Sequence, residues 1–90
     1  MDWMQLIIIL LPIILEWLSN QKTKEQAQLE IAVILAKSKP GYGSETYLAA
    51  AIDITERFQP KPGGVLEEIA KIGAIIDAII EILEKIFGKN

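Results

Sequence analysis

The stretch Trp3–Leu18, WMQLIIILLPIILEWL, decides how this chain is read. Ten of its sixteen residues are Leu or Ile, and Glu16 is its only charge. A Trp stands near each end and Pro12 interrupts the middle. Such a stretch serves as a membrane anchor, as a core helix, or as a surface made for a partner.

The membrane arithmetic is close. Ten Leu or Ile favour insertion by about 3–6 kcal/mol, and the two Trp stand where an interfacial belt would place them. A helix of this length rises only about 24 Å, against a hydrocarbon thickness of about 30 Å. The apolar run Leu6–Leu15 is shorter still, which favours core or interfacial burial over spanning. Asp2 precedes the stretch and Lys22 and Lys24 follow it, so a spanning segment would leave the C-terminal part in the cytoplasm. Asp2 and the run Leu18-Ser19-Asn20 do not make a standard secretory signal. The expected contact residues of this segment, with lipid or with a partner, are Trp3, Leu6, Ile9, Leu10, Ile13, Ile14 and Trp17.

The chain divides into 1–20, the apolar segment; 21–58, two amphipathic helices; 59–64, a Pro/Gly linker; and 65–90, a C-terminal helix. Asn20-Gln21-Lys22 is a short polar break. Thr23-Lys24-Glu25-Gln26 fits a capping box, with Thr23 as N-cap and Gln26 reaching back. The helix it opens should run to Ser38 on Ala27, Ile31, Ile34 and Leu35, with Leu29, Ala32 and Val33 widening the face. Pro40-Gly41-Tyr42-Gly43 breaks the chain, and Ser44 is the expected N-cap of the next helix. That helix should end near Phe58, with Tyr47, Leu48, Ala51, Ile52, Thr55 and Phe58 on its apolar face. Gln59-Pro60-Lys61-Pro62-Gly63-Gly64 is the strongest linker signal.

The last helix is expected from Val65 to Phe87. Leu66, Ile69, Gly73, Ile76, Ile80, Leu83 and Phe87 form one heptad seam. Val65, Ile72, Ile75, Ile79, Ile82 and Ile86 form a second, one residue out of step. Together they cover more than half the circumference, whereas a surface helix needs only about 100° of apolar arc. This predicts neighbours on two sides and an oligomer interface at Leu66, Ile69, Ile72, Gly73, Ile76, Ile79, Ile80, Leu83, Ile86 and Phe87. Ala70, Ala74 and Ala78 form a ridge of small residues that would permit close helix approach.

Composition narrows the chemistry. The 90 residues make one domain, 51% hydrophobic and with a net charge of −3. Nine Lys and Arg are scattered and form no basic patch for nucleic acid. The chain has neither Cys nor His, so disulfides, the commonest general base and the commonest metal ligand are all missing. Asp77, Glu81 and Glu84 share a helix face, but Glu81–Lys85 and Glu67–Lys71 are ordinary surface pairs, and the face reads as a solvated stripe. Gly41-Tyr42-Gly43-Ser44 matches no phosphate-binding fingerprint. No catalytic, cofactor or metal site is expected.

The expected protein is therefore all-α, with three or four helices and short Pro/Gly breaks, and with its first segment kinked or split at Pro12. It should be a non-enzymatic structural subunit that anchors or cements a larger assembly, such as a minor component of a virion or of a membrane complex. Its partners would be copies of itself, another protein, or a bilayer. A holin-like pore and a soluble helical adaptor are the alternatives. Ile9→Lys tests the opening segment: with lipid contact, flotation on vesicles falls while the C-terminal helix still assembles; with core burial, thermal unfolding shows the whole fold weakened.

Overall fold

The computed structural model describes residues 3–58 and 72–88. The chain is all-α. The described residues form α1 (Trp3–Leu18), α2 (Lys24–Ser38), α3 (Ser44–Arg57) and α4 (Ile72–Phe87). The 59–64 linker and the beginning of the last helix, including Val65, Leu66, Ile69 and Ala70, lie outside the described residues.

Each helix packs on its neighbours in chain order, and α4 returns to α1. Side-chain pairs give the directions. Lys39, after α2, sits with its Nζ 5.6 Å from the ring centre of Trp3 at the start of α1. Gln28 near the start of α2 bonds Thr55 near the end of α3. Phe87 at the end of α4 stacks on Tyr47 at the start of α3. Successive helices therefore run in opposite directions, an up-and-down arrangement.

Pro12 lies inside one continuous helix and does not divide it. It has no N–H for the carbonyl of Ile8, which costs an interior helix about 3 kcal/mol or more. Pro12 and Ile8 are both exposed, so that carbonyl lies on the outer side of α1, within reach of water. The helix ends in a Schellman motif: the Asn20 N–H donates to the Trp17 carbonyl (2.9 Å) and the Gln21 N–H to the Glu16 carbonyl (2.8 Å). Asn20 takes the left-handed conformation this requires, φ 64°.

The Thr23 capping box forms as expected. The Gln26 N–H donates to Thr23 Oγ1 (3.0 Å) and the Thr23 N–H to Gln26 Oε1 (2.9 Å). The expected cap of α3 is corrected by one residue. Ser44 is the first helical residue, and Gly43 precedes it as an extended N-cap with no side-chain bond. Its carbonyl accepts from the Thr46 N–H at 3.0 Å, so the first turn closes without a capping hydroxyl.

The buried stripe of α1 is Trp3, Leu6, Ile7, Leu10, Ile13, Ile14, Trp17 and Leu18. It meets Ala27, Ile31 and Leu35 of α2, Ala50, Ala51 and Ile54 of α3, and Ile75, Ile79 and Leu83 of α4 in one core. The apolar face expected for α3 is rotated. Tyr47, Ala51 and Thr55 point inwards, but Ala50 and Ile54 complete the core face while Leu48 and Ile52 are exposed. The reason is that α3 packs between α2 and α4, so its centre faces both, and Leu48 and Ile52 fall outside that arc. Thr55 is the one buried polar residue among those described. Its hydroxyl accepts from Gln28 Nε2 at 2.8 Å and donates to the Ala51 carbonyl at 3.0 Å, which fixes α2 against α3.

Truncating Ile14, fully buried, should cost about 2–5 kcal/mol in urea unfolding. The same truncation at exposed Ile8 should stay within about 0.5 kcal/mol.

Candidate interaction surface

The opening stretch gives α1 almost no polar side. Its inward stripe includes Trp3, Leu6, Leu10, Ile13, Ile14 and Trp17 of the expected contact set, all buried within the chain's own core. Ile9 alone of that set is exposed, at 47%, which corrects the outcome expected of Ile9→Lys under core burial: the substitution falls on the outer side of α1, and the fold should tolerate it. The outer side adds Ile8, exposed at 66%, with Met4 and Pro12 also exposed and Leu11 and Leu15 half-buried. Only Gln5 and Glu16 interrupt it. The signal for Ile8 and Met4 was already present in the sequence: a helix apolar all round must show aliphatic side chains outward when only one stripe is covered. None of the described helices is long and apolar enough to cross a membrane.

Glu16 is held in a charged clamp. Lys22 Nζ lies 2.8 Å from Glu30 Oε1 and 3.2 Å from Glu16 Oε1. One ammonium thus ties the end of α1 to α2 across the α1–α2 turn. The hydrogen bond to Glu30 is the main cause that raises the Lys22 pKa above the ordinary 10.5; desolvation opposes it, and the hydrogen bond to Glu16 and the charges of both carboxylates add to the rise.

The other end of the bundle is aromatic. Tyr47 Oη donates to the Lys39 carbonyl at 2.7 Å and accepts the Tyr42 N–H at 3.1 Å, pinning the α2–α3 loop. Tyr42 meets the Phe87 ring edge-on at 4.9 Å between centres. Trp3 closes this end beneath Lys39, and its buried Nε1–H has no hydrogen-bond partner among the described residues. α1, α3, α4 and the loop that follows α2 all contribute to this cluster or to its cover, so it is a packing device rather than an open site.

The expected C-terminal interface is distributed differently. Ile79, Leu83 and Phe87 are buried in the core, together with Ile75 and Ile82. Ile72, Ile76, Ile80 and Ile86 are half-buried, and Ile76, Ile80 and Ile86 pack against the same core. Gly73 is exposed, with nothing near the position a Cβ would take. Leu66 and Ile69 lie outside the described residues. The exposed side of α4 carries Gly73, Ala74, Asp77, Glu81 and Lys85, and Glu81 reaches Arg57 of α3 at 3.6 Å. Over the described residues Ile72–Phe87, the apolar face has neighbours on two sides within one chain, α1 and α3.

No group of three acidic side chains among the described residues is arranged to hold a metal ion. No protein-family model, curated protein or solved structure matches the chain.

Because Lys22 is held protonated in the fold, its clamp contributes stability that is fully present below pH 10.5 and is lost as pH rises through the higher folded-state pKa. Thermal melts between pH 9 and 12 should show this loss in the native chain, and Lys22→Met should remove that part of the slope.

Proposed function

We propose that this protein is a non-enzymatic structural subunit that docks into a larger assembly through the outer side of α1. The observation that carries the reading is Ile8, two-thirds exposed on a helix whose inward stripe is already fully used. With Ile9 beside it, this side holds the most exposed aliphatic residue of the described chain. Isolated exposed aliphatics are ordinary, but a run of them on one helix, with Gln5 and Glu16 as the only polar interruptions, marks a contact surface.

A protein partner fits this surface better than lipid does. Helices that lie in a membrane interface flank their apolar side with Lys and Arg, and α1 has neither. Pro12 also leaves the outward Ile8 carbonyl without its helical donor, a group that is costly to place in hydrocarbon. A partner surface can supply that donor, and so can water at its rim. The Lys22 clamp keeps Glu16 occupied at one end of the same side.

Flotation with liposomes followed by a high-pH carbonate wash tests the choice. The expected result is that the protein stays out of the lipid fraction, while Ile8→Lys abolishes its retention in the native complex at unchanged helix content. Retention in vesicles through the wash would replace docking on protein by lipid anchoring. Normal incorporation of Ile8→Lys into the complex would remove α1 as the contact.

A further inference from the structure

A second apolar surface lies on the far side of the α2–α3 pair. Leu29, Val33, Leu48 and Ile52 are exposed there at 60, 53, 38 and 40%. Ala32, Ala36, Ser44 and Tyr47 line the groove beside Leu29, Val33 and Leu48. The small alanines keep the groove open enough for another helix to approach closely.

The charges around this groove say what kind of helix fits. On α2, Glu25, Leu29, Val33 and Lys37 follow one another at four-residue steps, so they form a single oblique row on the exposed surface. The row is acidic at its first position, aliphatic at the middle two and basic at its last. Turned end for end, it complements itself: Leu29 faces Val33, and Glu25 faces Lys37. Glu25 and Lys37 are both exposed, and neither belongs to an ion pair among the described residues. Rows at four-residue steps are also the ridges that interlock in the commonest helix–helix packing.

We propose that a second copy of this chain covers the α2–α3 surface, through a two-fold contact centred on α2 at the level of Ile31. In such a contact the same patch serves both partners, and each favourable pair occurs twice. The row on α3 explains why the axis falls on α2 and not midway along the groove. Glu45, Leu48, Ile52 and Glu56 share one side of α3 and are acidic at both ends. Pairing that row end for end sets Glu45 against Glu56. The α3 rows therefore flank the contact, with Leu48 beside the α2 seam, while the α2 rows form its centre. This surface is separate from the outer side of α1, so the two readings fail independently.

Sedimentation equilibrium of the full chain over a concentration series tests the contact, with circular dichroism to verify that each variant keeps its helices. The expected result is a monomer–dimer equilibrium. Val33→Glu, at a half-exposed position, should weaken it by about tenfold or more. Glu25→Lys and Lys37→Glu should each weaken it several-fold, because each sets two like-charged pairs across the axis. Glu25→Lys combined with Lys37→Glu should restore association towards the native value, and Ile8→Lys should leave it unchanged. A chain that stays monomeric would overturn the proposal, as would a dimer indifferent to Val33→Glu. A double reversal no tighter than either single reversal would overturn the pairing as well.

Discussion

α1 is apolar on nearly every side, yet a bundle of four helices covers only one stripe of each. The rest of the structure depends on that constraint. Leu6, Leu10, Ile14 and Leu18 are almost wholly withdrawn from water, and with the neighbouring helices they account for much of the core. Of the remaining aliphatic side chains of α1, Leu11 packs at the edge of the core, Leu15 is half-buried, and Ile8 and Ile9 stay exposed. The same helix thus holds the fold together and leaves its most exposed aliphatic residue, Ile8, outside.

The two ends of the bundle are closed by different chemistry. At one end Lys22 joins Glu16 and Glu30, a charged clamp over a Schellman turn. At the other, Tyr42, Tyr47 and Phe87 pack ring on ring, and Trp3 lies beneath Lys39. The clamp contributes only modestly to net stability, because its carboxylates are about half exposed and solvent screens the pairing. The aromatic end removes large rings from water and adds favourable edge-to-face geometry. The aromatic end therefore contributes more than the clamp does, and the long sides of α1, α2 and α3 are left to carry surface chemistry.

Those sides differ in a way that matters for assembly. The outer side of α1 has almost no charge to orient a partner, so what it offers is apolar area. The α2 row carries opposite charges at its two ends, which gives it a direction and makes it complementary to its own reverse. Apolar area supplies affinity with little discrimination, whereas charge placement sets register and orientation. A subunit with one surface of each kind can join a copy of itself in a defined orientation and still present α1 to something else.

Much of this was readable from residue order. The Thr23–Gln26 box, the Pro40–Gly43 break and the heptad spacing of the last helix specify local backbone states, and local states follow from local sequence. Even the breadth of the apolar surface on α1 needed no coordinates. What residue order did not settle is which apolar side chains face inward. Leu48 and Ile52 are as aliphatic as Ile54, and they are exposed because α3 is wedged between two neighbours whose positions depend on the whole chain. The same holds for α4, whose described apolar residues meet α1 and α3 of its own chain. Periodicity determined that these faces had to be covered; only the tertiary packing decided by what, because a hydrophobic surface has no direction of its own and takes whichever neighbour the topology brings.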